Sequence, residues 1–486
     1  MTRGRLAIHA HLYQPERRDP FSGRVPDDPA AAPERNWNER VEADCYRPNA
    51  RRGNLDRISF NLGPTLAGWL DAGARSTLQR IVAADRDENA VAQGFHHPIL
   101  PLASTRDRQT EIRWGLRDFE LRFDRAAEGF WLPETAVDLP TLRALAHERV
   151  RWTVLAPWQA ADQGIETRRP HRVDLGDGLD IVIAFYDAGL SGAVSFDPNA
   201  TADADRFARD WVLPRVSAPL HRDGSSRREA GSPLAVIATD GELYGHHQPF
   251  RDLFLERLVA PASVTGDRGY DLVTLGAALR DAAAGPLPRA RVAERTSWSC
   301  HHGVLRWSGE CPCVPDGRWK GPLRAALERL AGGIDAITET IVAGDASAAG
   351  IEQAPDPWAA RDAYVDVVLG REDPGEFAAR WLGPLAPAAA CDRHAALLEA
   401  QRWRLAMFAS DGWYWEDPAR PETRQVMRCA ARAARIVDGL SAAGLERRLV
   451  ADLALLRSPS RGVDGAAIYR EALAEVGQPA YAALLR

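Results

Sequence analysis

The run Leu234-Ala235-Val236-Ile237-Ala238 is apolar throughout and passes directly into Thr239-Asp240-Gly241-Glu242. So short an apolar run, closed by a turn-forming glycine, suits a strand buried on both faces. Strands of that kind belong to parallel sheets covered by helices on either side. The pattern recurs through the first half of the chain. Leu6-Ala7-Ile8 leads into His9-Ala10-His11, residues 129–132 lead into Pro133-Glu134, and Trp152-Thr153-Val154-Leu155 makes a further run. Residues 180–185 read as another strand, preceded by a turn at Gly176-Asp177-Gly178. Helical periodicity fills intervals such as 139–147 and 204–213. Strand and helix in alternation predict an α/β fold around a parallel sheet.

A Gly-, Pro- and Cys-rich stretch from about 285 to 321 breaks this rhythm. Beyond it the chain is rich in Ala, Leu and Arg, with helical spacing over 323–341, 395–408, 426–440 and 447–456. A length of 486 residues exceeds what one hydrophobic core usually supports. Two domains are therefore expected, an α/β domain over 1–320 and an all-helical domain over 321–486 packed against its cleft.

No stretch approaches the ~20 apolar residues of a membrane span. The basic opening Met1-Thr2-Arg3-Gly4-Arg5 is followed by too few apolar residues for an export signal, so a cytoplasmic location is expected. Six cysteines in a chain this long suit a reducing compartment. A net charge of −6, with arginines interspersed among acids, argues against nucleic-acid and membrane partners. Fifteen tryptophans exceed the needs of an ordinary core and suit a groove that stacks sugar rings.

Ionisable residues gather immediately after the apolar runs, at His9/His11, His96/His97, Glu134 and Asp240/Glu242. In parallel α/β sheets and barrels that end of the strands builds the active site. Two carboxylates from separate strand ends suit glycosidic bond cleavage, one attacking the anomeric carbon and the other protonating the departing oxygen. The protonated partner needs a raised pKa, and Glu242 beside Asp240 supplies a charge that would raise it. The same residues fit a second chemistry. His9-x-His11 with Asp240 would suit a zinc-dependent carbohydrate hydrolase or deacetylase. Spacing alone leaves both open.

At these motifs the chain resembles glycoside hydrolase family 57, the group of α-amylases, 4-α-glucanotransferases and glycogen-branching enzymes. His9-Ala10-His11-Leu12-Tyr13-Gln14-Pro15 is similar to the family's opening region, and residues 94–102, with His97, to its second. Trp131-Leu132-Pro133-Glu134-Thr135-Ala136 resembles the third, whose Glu is the nucleophile. Asp240-Gly241-Glu242-Leu243-Tyr244-Gly245-His246 resembles the fourth, whose leading Asp is the acid/base, and Ser297-Trp298-Ser299-Cys300 the fifth, which supplies a stacking Trp. The resemblance covers about residues 5–320. It implies an incomplete (β/α)7 barrel with a helical C-terminal domain, a retaining mechanism on α-1,4- or α-1,6-linked glucans, and no metal or other cofactor. It further implies Glu134 and Asp240 as the catalytic pair, with His9, His11, Gln14, His97, Trp131, Glu242, His246 and Trp298 at the substrate; Trp413, outside the resemblance, is added from the residues themselves. The polar segment from Asn36 to Thr65 departs from the characterised amylases, which admits a non-catalytic glucan-binding protein as a further reading.

Two other motifs stand apart. Cys300-His301-His302 followed by Cys311-Pro312-Cys313 reads either as small buried thiols in a tight loop or as a Cys3His zinc site. Ser410-Asp411-Gly412-Trp413-Tyr414-Trp415 places an aromatic turn inside the helical half, with one ring expected over the substrate.

Overall fold

The computed structural model describes residues 3–218, 220, 232–348, 354–384 and 386–475. Among them nine strands form: β1 (Gly4–Leu12), β2 (Ser59–Leu62), β3 (Ala90–Gln93), β4 (Phe130–Trp131), β5 (Trp152–Leu155), β6 (His171–Gly176), β7 (Leu179–Phe185), β8 (Leu234–Asp240) and β9 (Tyr270–Leu272). The chain divides into two compact units, which interleave along the sequence where a single boundary near residue 320 was expected. The first comprises Met1–Gln14, Asp27–Gly94 and Phe119–Ser299; the second comprises Pro15–Pro26, Phe95–Asp118 and Cys300–Arg486.

In the first unit, β4-β3-β2-β1-β8 form one sheet in that order, with every pairing parallel and β9 added at the start of β1. A second sheet, β5-β7-β6, is parallel between β5 and β7 and antiparallel at the β6–β7 hairpin, whose turn uses the left-handed residues Gly176, Asp177 and Gly178. Two slender joints link the sheets. Gly129 bridges to Trp152 beside β4 and β5, and the Asp187 N–H just past β7 donates to the Val236 carbonyl of β8 at 2.8 Å. Seven of the parallel strands, β1–β5, β7 and β8, thus encircle an interior without completing the ladder, an incomplete (β/α)7 barrel. Asp138 and Asp187 cap the helices Leu139–His147 and Ala188–Phe196 by accepting from backbone N–H groups in their first turns.

The interior follows from strand alternation. Ala7 of β1, Val91 of β3, Trp131 of β4, Val154 of β5, Val182 and Ala184 of β7, and Val236 and Ala238 of β8 pack into one buried cluster. Each aliphatic side chain fully removed from water there contributes about 1.5–3 kcal/mol. Stepping two residues further along the same strands replaces these apolar groups by polar ones: His9 and His11, Gln93, and Asp240. The carboxyl ends of the strands are where the chemistry begins.

The second unit is helical, built on Lys320–Ala348, Ala388–Ala406 and Pro421–Ser441. Phe95 and Trp114 pack there with Tyr364, Phe377, Leu398 and Leu405. The Trp114 indole N–H donates to the Arg361 carbonyl, and the buried Arg361 guanidinium donates to Asp107 at 2.8 Å. These contacts assign Phe95–Asp118 to the helical unit. Among the described residues no helix is long and apolar enough to cross a membrane.

Candidate active site

Glu134 lies in the short helical turn that follows β4, in a left-handed backbone conformation with φ 55° and ψ 21°. That conformation is uncommon for a non-glycine residue and is held by what surrounds it. The Trp298 backbone N–H donates to the Glu134 carbonyl at 3.1 Å, and Val137 bridges to Thr296. The side chain is held from the same segment. Its Oε2 accepts from Ser299 Oγ at 2.6 Å and from Trp298 Nε1 at 3.2 Å.

Around it the strand ends interlock through their side chains. The Trp131 indole stacks with the His9 ring at 4.7 Å and with the His11 ring at 5.2 Å, and meets Trp298 edge-on at 5.0 Å. Asn61 of β2 joins the two histidines. Its Oδ1 lies 3.0 Å from His9 Nε2, its Nδ2 lies 2.9 Å from His11 Nδ1, and Nδ2 also donates to Gln93 Oε1 of β3. His9 thus donates from Nε2, while His11 Nδ1 lies within hydrogen-bonding distance of both amide atoms of Asn61, 3.1 Å from Oδ1 and 2.9 Å from Nδ2. Burial is the main force lowering the His9 pKa to about 4 and that of His11 to about 3, against the opposing hydrogen bond from Asn61. Both rings are neutral at physiological pH.

Asp240, last residue of β8, stands opposite His11 in the β1–β8 register. The surrounding protein raises its carboxyl from the ordinary value to about 7, and the Glu242 charge adds to the shift. Its side chain nevertheless keeps access to solvent. A carboxyl enclosed by protein yet reachable from outside is placed to exchange protons with a bound molecule. Tyr186, just past β7, feels the Asp240 charge and lies beside Trp298. Its hydroxyl is pushed up first by burial and then by the Asp240 charge, and its ring meets Trp298 edge-on at 6.5 Å.

The other expected site residues divide. Glu242 is buried and does not reach His9 or His11. Its Oε1 accepts from the Tyr46 hydroxyl and from the Tyr13 N–H at 3.1 Å, while Gln14 Nε2 donates to Tyr46 Oη at 3.3 Å. Burial outweighs these donors and raises Glu242 to about 7. His246 pairs through Nδ1 with Asp44 at 3.1 Å and stands edge-on to Trp37. Trp131, only 1% exposed, is a floor beneath the histidines rather than an open sugar platform. His97 and Trp413 belong to the second unit. His97 Nδ1 is 2.8 Å from Ser410 Oγ. Trp413 corrects the expectation of a ring over the substrate: it is fully buried, donates to the Lys320 carbonyl and stacks on Phe408. Trp415, 37% exposed, is the outward member of that turn.

Sequence reasoning passed over Asn61, Gln93, Tyr46, Tyr186 and Trp158. Trp158 follows β5, is 41% exposed, and stands edge-on to Tyr186. Its position after Trp152–Leu155 repeats the pattern that singled out Glu134 and Asp240, and was the available signal.

Residues 82–279 match the family model described as glycosyl hydrolase family 57. This chain carries a family 57 glycosyl hydrolase domain. The matched span contains Glu134 and Asp240, and residues 316–478 match a second model, Domain of unknown function (DUF3536). No curated protein matches the chain. Solved structures share the fold at low identity. A maltose-forming amylase from Pyrococcus sp. ST04 aligns with TM-score 0.69 at 14% identity, over 96% of this chain and 88% of that one. A family 57 branching enzyme from Thermococcus kodakaraensis aligns with TM-score 0.60 at 14% identity, over 92% and 94%. A 4-alpha-glucanotransferase from Thermococcus litoralis aligns with TM-score 0.55 at 16% identity over 90% of this chain, which spans 60% of that protein.

Proposed function

We propose that this protein is a cytoplasmic retaining glycosidase or transglycosidase acting on α-1,4- or α-1,6-linked glucans, with Glu134 as nucleophile and Asp240 as general acid/base. The observation that carries the reading is the contrast between the two carboxyls. Glu134 is aimed by two side-chain donors, whereas Asp240 is raised to about 7 while staying accessible. A fixed carboxylate and a proton-carrying acid are the two partners a retaining mechanism needs. Glu134 attacks the anomeric carbon as Asp240 protonates the leaving oxygen. Asp240 then takes the proton of the incoming water or sugar hydroxyl as the glycosyl-enzyme bond breaks.

A zinc-based use of His9, His11 and Asp240 has less support, because His9 Nε2 and His11 Nδ1 both turn to Asn61. The neutral histidines, Trp298 and the exposed Trp158 suit hydroxyl contacts and stacking against sugar CH faces.

The test is product analysis after incubation with maltooligosaccharides and with amylose. New reducing ends identify hydrolysis, and redistributed chain lengths without new ends identify transfer. Unchanged glucans with the wild type, or the same products from Glu134→Gln, would sink the proposal.

A further inference from the structure

Residues 280–315 lie between the two family matches and hold an arrangement that neither accounts for. Two turns build it. The Gly303 N–H closes on the Cys300 carbonyl at 3.1 Å with Gly303 in the left-handed region, which folds His302 back beside Cys300. The Val314 N–H closes on the Cys311 carbonyl at 3.0 Å, which sets Cys311 and Cys313 on one tight bend. The four ligand atoms of Cys300, His302, Cys311 and Cys313 all lie within 4.8 Å of one another.

We propose that Cys300, His302, Cys311 and Cys313 form a tetrahedral Cys3His binding site for a structural zinc ion. The separations fit the edges of such a tetrahedron. Zn–S bonds of about 2.3 Å and a Zn–N bond of about 2.0 Å give S···S edges of roughly 3.8 Å and S···N edges of roughly 3.5 Å. Cys300 Sγ lies 3.4 Å from Cys311 Sγ and 3.8 Å from Cys313 Sγ. His302 Nδ1 lies 3.2 Å from Cys313 Sγ and 3.5 Å from Cys311 Sγ.

Charge supplies an independent argument. Zn2+ with three thiolates and a neutral imidazole carries one net negative charge, and on its buried side, at Cys300 and Cys311, that charge gains from nearby cations. Two cations stand beside these sulfurs. Arg306 lies within electrostatic reach of Cys300 and Cys313 and over the Tyr414 ring at 4.6 Å. Lys320 is fully buried within electrostatic reach of Cys311 and Cys300, and its Nζ has no hydrogen-bond partner among the described residues. An ammonium buried without an acceptor is costly beside neutral thiols and well placed beside an anionic zinc–thiolate centre. Four protein ligands leave no open coordination position, so the site is structural rather than catalytic. Cys300 and Cys311 are buried, whereas His302 and Cys313 are exposed and give the ion a way in.

The experiment uses the full-length protein purified under reducing conditions, with metal content, thiol titration and Co2+ substitution as readouts. The proposal predicts about one zinc per chain, and with Co2+ an intense thiolate charge-transfer band together with tetrahedral ligand-field bands. Chelation should lower Tm, and zinc should restore it. His302→Gln and Cys313→Ser alter only exposed positions and so spare the fold; each should weaken zinc binding at least about tenfold. A folded wild-type protein that takes up neither Zn2+ nor Co2+, a Cys300–Cys311 disulfide that persists under those conditions, or undiminished zinc binding in the double variant would each overturn it.

Discussion

At the scale of single residues, what distinguishes the site is how differently similar groups are treated. Glu134 follows β4 in a short turn and Asp240 ends β8, yet one is fixed by donors and the other is made a weaker acid by its surroundings. Ser299→Ala removes the 2.6 Å bond from Ser299 Oγ to Glu134. A hydrogen bond to a charged group contributes about 1.5–3 kcal/mol, so kcat/KM should fall roughly 10- to 100-fold with the fold intact. A change below twofold would deny Ser299 its positioning role. A second expectation concerns pH. A general acid raised to about 7 is protonated below that value and loses its proton above it, so kcat/KM should decline on the alkaline side of about 7. Glu242→Gln removes the neighbouring negative charge and should move that limb to lower pH; an upward shift would contradict the assignment. On a substrate whose leaving group needs no proton, Asp240→Asn should still form the glycosyl-enzyme and then stall until azide is added. The acids were legible in the sequence because each follows an apolar run. Their supports were not, since Asn61, Tyr46 and Tyr186 reach the site only through strand pairing that no local pattern encodes.

At the scale of elements, legibility followed burial. The runs at 152–155 and 234–238 and the helix at 139–147 were read close to their observed bounds, because compact, largely apolar runs and a capped amphipathic helix announce themselves. Strands β2, β6 and β9 escaped notice, and the run ahead of His96/His97 that is β3 was given no bounds. Ser59-Phe60-Asn61-Leu62 and Ala90-Val91-Ala92-Gln93 are four residues each with a polar group turned inward, and that inward polar group is what the site requires. The β4–β5 joint carries its own prediction. A Cβ on Gly129 would lie 2.3–2.5 Å from atoms of the Trp152 ring, closer than any packed pair tolerates. Gly129→Ala should therefore lower stability by about 1–3 kcal/mol in urea unfolding. Unchanged stability would mean that the barrel is not pinned there.

At the scale of the whole molecule, the interleaved units explain why the helical half is more than an appendage. Phe95–Asp118, drawn from the middle of the barrel sequence, finds its core partners in residues beyond 300: Trp114 reaches Arg361 and Asp362, and Phe95 packs with Leu398 and Leu405. A fragment ending at residue 320 would expose that surface and is expected to be insoluble or inactive; a soluble, fully active fragment would refute this. The sequence marked where the composition changes, but an excursion of this length leaves no compositional trace.

The central claim is that Glu134 attacks the sugar. A fluorosugar with an activated leaving group, which forms the glycosyl-enzyme faster than it is released, tests it directly when the protein is digested and its labelled peptide mapped by mass spectrometry. The account predicts a single glycosyl adduct on Glu134, absent in Glu134→Gln. A label on Asp240, Glu242 or another residue, or active enzyme that never acquires one, would contradict it.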